Sequence, residues 1–279
     1  MVHPGPRAAV RVQALRTALV PLSGVLRAGE SVMQGVARIF ADAGCPGGIV
    51  WLDGVTCDPM RYVLPAYATD DRHAAWYSET HAPDGPARIL RATASVGQRD
   101  GDGFLHCHGT WRLADGLVAM GHLLPFDSIV ARDSPVRGLG TRDAWFEGLP
   151  DAETNFTLFQ PRGGDPAGAG LVVRLLPGED VVTAIQRLCA AHDIADARVH
   201  GLGSIDHIGF AEGHSMDCLA TELRLDDARI KAGRAILPIE VVDVDGNIAR
   251  GTLTAGDNPV GVTMEIVIEP LNEEPKETS

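Results

Sequence analysis

Hydrophobic and polar positions follow two rhythms along this chain. Between residues 31 and 42 the apolar side chains fall at Val32, Met33, Val36, Ile39 and Phe40, a spacing that lines one face of an α-helix. The same stripe returns at Val181, Val182, Ile185, Leu188 and Cys189. A Gly-Glu turn and a capping side chain precede each stripe, Ser31 in the first and Asp180 in the second. The second helix is predicted over 180–192. Elsewhere short runs of alternating or apolar character, broken by Gly, Asp and Pro, predict strands over 171–176, 197–201, 205–210, 221–225, 235–243 and 262–268. Few segments read as crossover helices. The expected fold class is therefore α+β, with mostly antiparallel sheet and helices packed on it.

The two stripes stand in register at an offset of 149 residues. Leu26-Arg27-Ala28-Gly29-Glu30-Ser31-Val32 aligns without a gap with Leu175-Leu176-Pro177-Gly178-Glu179-Asp180-Val181. Arg38, Ala41, Val50 and Gly54 then match Arg187, Ala190, Val199 and Gly203. Agreement of register, cap and stripe points to a duplicated domain. The segment from Asn155 to Pro161 resembles that from Met264 to Pro270, and both read as closing strands. These ends predict a first repeat over 16–161, a Gly- and Ala-rich linker at 162–169, a second repeat over 170–271 and a charged tail. Residues 126–153, with Arg132, Arg137, Arg142, Trp145 and Phe146, are expected to be an insertion of the first repeat, either a lid or contact arm or a surface excursion.

Charge narrows the function classes. Of 279 residues, 24 are Lys or Arg and 37 Asp or Glu, a net charge of −13. That balance disfavours a broad, sequence-independent nucleic-acid face. The basic stretch nearest the N-terminus carries only Arg7, Arg11 and Arg16. No run approaches the roughly eighteen apolar residues of a membrane span, and residues 1–20 lack the continuous apolar segment of a secretory signal. Five cysteines (Cys45, Cys57, Cys107, Cys189 and Cys218) without CxxC spacing are expected to be reduced thiols in a cytoplasmic protein.

The densest chemistry is Phe104-Leu105-His106-Cys107-His108-Gly109-Thr110-Trp111, followed by Gly121-His122-Leu123-Leu124. On a strand His106 and His108 share a face, with Cys107 on the other. Ala114-Asp115-Gly116 between the two groups reads as a three-residue hairpin loop. If Leu113 pairs with Leu117, His122 stands directly opposite His108; a one-residue slip would turn it to the other face. Three neutral imidazoles suit Zn²⁺, with nickel, copper or iron as alternatives, and three protein ligands leave a position for water or substrate. Spacing alone leaves open that these histidines only decorate a polar sheet face.

The chain resembles two copies of the PPC (plants and prokaryotes conserved, DUF296, PD1-like) domain. The resemblance rests on Leu176-Pro177-Gly178-Glu179-Asp180, on Gly201-Leu202-Gly203-Ser204-Ile205, and on the two histidine segments just quoted. It implies that His106, His108 and His122 hold a metal, commonly zinc, near a subunit interface, and that chains assemble as homotrimers. It also implies a DNA-binding or regulatory role, although in plant relatives DNA contact is the work of a separate Arg-Gly-Arg-Pro hook that this chain lacks. In the second repeat Pro238, Glu240 and Thr252 are read at the places of His106, His108 and His122, so one metal site per chain is expected, with the second repeat structural or supplying walls to a neighbour's site. Arg91, His207 and His214 are weaker candidates for binding a small polar substrate. Three functions stay open: a zinc-dependent hydrolase or lyase with no general base visible, a DNA-binding regulator, and an assembly scaffold.

Overall fold

The structure, a computed structural model, describes residues 1–271. The principal elements of the N-terminal half are β1 (Val12–Thr17), β2 (Leu19–Leu26), α1 (Val32–Asp42), β3 (Gly47–Trp51), β4 (Ala87–Arg99), β5 (Asp102–Arg112), β6 (Val118–Leu123), β7 (Ser134–Thr141), β8 (Ala144–Pro150) and β9 (Thr157–Gly163). Those of the C-terminal half are β10 (Gly170–Leu175), α2 (Val181–Ala191), β11 (Ala197–Ile205), β12 (Glu222–Leu225), β13 (Pro238–Val242), β14 (Ile248–Thr252) and β15 (Val260–Pro270). The described residues are thus mostly antiparallel sheet, with two α-helices.

The helices form where the stripes lie. Ser31 accepts from the backbone of Gln34 and Gln34 answers to the Ser31 N–H, a capping box, while the Asp180 carboxylate accepts from Thr183 N at 2.8 Å. The first stripe, Val32 to Phe40, is buried.

Two sheets carry the same strand order. The first runs β2-β7-β3-β4-β5-β6 and the second β10-β15-β11-β12-β13-β14. This register changes three sequence-based expectations. First, β7 stands where β15 stands: Val136 opposes Gly24 as Ile266 opposes Val173, the residue 149 positions beyond Gly24. Ser134–Thr141 is therefore an inner strand of the first sheet and not part of a lid. Its backbone is claimed on both sides by β2 and β3, which an inserted loop would leave to solvent. The segment 155–161, read as the closing strand, instead pairs with β8, which adds to β4 in parallel. Phe146 is fully buried, and Arg142 donates to the carbonyls of Ala43 and Gly44 just after α1.

Second, β1 belongs to the other half. It pairs with β10, Leu15 opposite Val172, and covers what would be an open edge of the C-terminal sheet. A boundary at residue 16 therefore cuts through a strand of the C-terminal sheet. Third, both hairpins close alike, with Leu113 N–H donating to Leu117 O and Asp243 N–H to Asn247 O. Pro238 opposite Thr252 then holds the place of His108 opposite His122, and Glu240 that of Thr110. Pro238 therefore does not stand at the place of His106, nor Glu240 at that of His108, because the register moves both by two residues. Neither Pro238 nor Thr252 offers an imidazole, so the second hairpin still lacks the motif.

Each sheet packs one face on its helix. Leu105, Cys107 and Trp111 of β5 join the α1 core, and Leu223, Ile239 and Val241 join the α2 core. The opposite faces meet each other. Ile49, Leu139, Phe146 and Phe159 of one half form a buried cluster with Val172 and Val267 of the other. Polar ties flank it, among them a buried pair of Arg174 Nη2 and Asp151 Oδ2 at 2.7 Å. The candidate site lies on this shared face.

Candidate metal centre

The hairpin loop does what its sequence predicts. Gly116 takes a left-handed φ of 90°, and His122 falls directly opposite His108. His106 lies two residues along the same face. Their ring centroids are separated by 4.6, 4.9 and 5.4 Å, and one nitrogen from each ring lies within 4.8 Å of the others. A close strand backs the third histidine. A Cβ on Gly121 would come within 2.4 Å of the Val63 carbonyl oxygen, so only glycine permits the pairing of β6 with Tyr62–Val63 there.

The C-terminal half supplies the walls. His106 Nδ1 donates to Glu265 Oε2 at 2.9 Å, and His108 Nδ1 donates to the Leu223 carbonyl at 2.9 Å. A carboxylate and a carbonyl only accept, so both rings carry a proton on Nδ1, and each neutral ring presents its lone pair at Nε2. Those two Nε2 atoms lie 3.0 Å apart. Two nitrogens at that distance are held together by a shared proton or by a cation against both. Zinc–nitrogen bonds of about 2.0–2.1 Å in a tetrahedron place the nitrogens roughly 3.3 Å apart, within a few tenths of this separation. The His122 Nδ1 atom is buried without a hydrogen-bond partner. The donor set therefore fits a divalent transition metal.

Electrostatics agree with neutral ligands. Burial, and then the neighbouring His106, pushes both His108 and His122 well below the ordinary imidazole range. Beside them Glu222 on β12 places Oε1 3.9 Å from His108 Nε2 and 3.9 Å from His122 Nδ1. Burial drives this carboxyl well above its usual range, and its Oε2 has no partner.

The site opens into a cleft of about 520 Å³ bordered by His106, His122, Trp76, Tyr77, Phe156 and Glu265. Trp76 and Phe156 stack with centroids 5.4 Å apart, and Tyr77 sets its ring edge-on to His122 at 5.3 Å.

The structure brings together His106, His108 and His122 but not the other candidates. Arg91 pairs with Asp226 at 3.1 Å in a different cleft, of about 930 Å³, lined also by Asp53, Arg137 and Arg198. His207 sits between Asp206 and Asp217, exposed at a left-handed turn. His214 stacks on Phe210 and bonds the Arg250 carbonyl. Neither lines the histidine cleft. Sequence reasoning missed Glu222, Glu265 and the aromatic rim. A signal was present for Glu265, which lies between Met264 and Ile266 in an otherwise apolar run, whereas Glu222 shares its short strand with Arg224.

No family model and no curated protein matches the chain. Among solved structures, a plant- and prokaryote-conserved (PPC) protein of Pyrococcus horikoshii is similar at 16% identity and a TM-score of 0.42, over 52% of this chain and 94% of its own. A metal-containing protein of Archaeoglobus fulgidus is similar at 18% identity and a TM-score of 0.40, over 52% of this chain and 96% of its own. A Ralstonia eutropha JMP134 protein for which DNA binding is proposed is similar at 19% identity and a TM-score of 0.38, over 50% of this chain and 89% of its own. Each of the three is matched over about half of this chain.

Proposed function

We propose that the chain holds a divalent transition metal, zinc first among the candidates, on His106, His108 and His122, and binds or acts on a small polar molecule at the mouth of that site. One observation carries this reading. The Nε2 atoms of His106 and His108 face each other at 3.0 Å, with His122 on the same face, while both Nδ1 protons are committed to oxygen acceptors. Glu265 and the Leu223 carbonyl orient the two rings, as outer partners of metal-bound imidazoles do. Trp76, Tyr77 and Phe156 narrow the approach of water. A bound ion of this kind supplies Lewis acidity toward an oxygen of the ligand.

The test is metal content of the purified wild type against His108→Ala, with the native mass of both. The expected result is about one metal per chain in the wild type and loss in the variant. Unchanged native mass, whether a homotrimer or another assembly, supports a role at the site; collapse of the assembly upon metal loss supports a structural role. A wild type that takes up neither zinc nor cobalt overturns the proposal. The net charge of −13 ranks DNA binding below it. Salt-sensitive retention of duplex DNA at physiological ionic strength would reverse that order.

A further inference from the structure

We infer that Glu222 is a fourth protein ligand to the cation, so that the metal centre is built jointly by the two halves of the chain. The inference rests on the metal reading above and goes beyond it in donor set and in architecture.

Glu222 is 5% exposed, yet none of its partners is a lysine or arginine. A buried carboxyl normally sits against a fixed cation or a set of donors. Its neighbour in the same sheet shows the contrast: Glu240, 1% exposed, takes Arg224, Arg250 and the Thr110 hydroxyl. Glu265 takes His106. Of the three, Glu222 alone faces two imidazole nitrogens. Its Oε1 is equidistant, at 3.9 Å, from His108 Nε2 and His122 Nδ1, and its Oε2 is orphaned. A carboxyl oxygen and two imidazole nitrogens converge there with no lysine or arginine among them. Metal–oxygen and metal–nitrogen bonds of about 2.0–2.2 Å would draw these atoms roughly half an ångström closer, a shift within reach of rotation at the glutamate side chain.

The duplication divides the work. The first half keeps the three imidazoles, and the second half has Pro238 and Thr252 in the places of two of them. The reverse holds for an acid: Glu265 pairs with Arg174 in β10, and the matching register in the first half puts Pro135 opposite Val25. Face-to-face packing therefore joins imidazoles from one copy to carboxylates from the other. Three imidazoles and one carboxylate make four nitrogen and oxygen donors, a set that zinc accepts and that cobalt(II) can report spectroscopically.

Cobalt(II) titration of the full chain reads both affinity and the visible ligand-field spectrum. Wild type, Glu222→Gln, Glu265→Gln and His108→Ala are compared, with thermal melting of each apoprotein as the check on folding. Glu222→Gln is expected to weaken cobalt affinity by more than 100-fold and to change the band positions. Glu265→Gln is expected to cost about 10–100-fold with the bands little moved, as for an outer partner. If Glu222→Gln fails to fold, Glu222→Ala is read by the same criteria. A glutamate variant with wild-type affinity and spectrum, beside a His108→Ala that binds nothing, overturns this inference and leaves the metal reading standing. Absence of cobalt binding by the wild type removes both.

Discussion

Removing the Asp151 carboxylate tests the claim that the two halves are locked together by buried charge as well as by apolar packing. Arg174, 1% exposed on β10, donates to Asp151 Oδ2 at 2.7 Å, and its Nε reaches Thr263 Oγ1 at 3.3 Å. The other carboxylate oxygen accepts from the Thr154 N–H and hydroxyl at 2.9 Å, which shapes the turn after β8. Asp151→Ala leaves a guanidinium in the interior with one weak partner. Breaking such a pair from one side costs about 3–5 kcal/mol. At roughly 2–4 °C per kcal/mol for a chain of this size class, the melting temperature should fall by about 6–20 °C. Arg174→Met added to Asp151→Ala should restore much of the loss, because replacing both charges by apolar groups is close to neutral. The pH dependence has a definite sign. Burial pushes the Asp151 carboxyl up, but Arg174 and Thr154 together hold it below the ordinary carboxylate range. The stabilisation is therefore complete above the unfolded carboxylate value, near pH 4, and fades as pH falls through the lower folded value. Urea unfolding at pH 7 and pH 3 measures both effects. A variant within about 0.5 kcal/mol of wild type at pH 7, or a double variant worse than the single, would refute the reasoning.

Three further outcomes follow from the packing. Gly121→Val should break the pairing of β6 with Tyr62–Val63, since its Cβ would lie 2.4 Å from a carbonyl oxygen, and should abolish cobalt binding together with native tryptophan fluorescence. Ser31→Ala removes the acceptor for Gln34 N at 3.1 Å and should lower stability by about 1 kcal/mol in urea unfolding while leaving metal content unchanged. All five thiols are free and buried, and burial pushes Cys57 up to about 12 and Cys189 up to about 11. An aromatic disulfide reagent at pH 8 should therefore leave those two thiols unreacted in the native protein and titrate five after denaturation.

Much of the candidate centre was legible before any coordinates. The stripe and cap at Ser31, the loop Ala114-Asp115-Gly116, and the placing of His106, His108 and His122 on one face all depend on neighbours a few residues away. The distances are short and the periodicities fixed, so spacing suffices. The segment 126–153 was not legible in the same way. Its strand, Ser134–Thr141, holds two glycines and little alternation, and its identity comes from β2 and β3 on either side. Likewise nothing in residues 12–17 says that this strand will leave its own half for the edge of β10.

The chain's order of residues determined, unaided, that a hairpin would gather three imidazoles and that a second copy of the domain would lack them. Tertiary structure decided what faces those imidazoles. Glu222 lies 114 residues from His108 in sequence, and Glu265 lies 159 from His106. They meet because each sheet spends one face on its helix and must cover the other, and the nearest apolar surface of matching shape is the other half of the same chain. Periodicity tells which side chains share a face. Only the packing of whole sheets, a sum of many weak and distant contacts, selects the partner for that face.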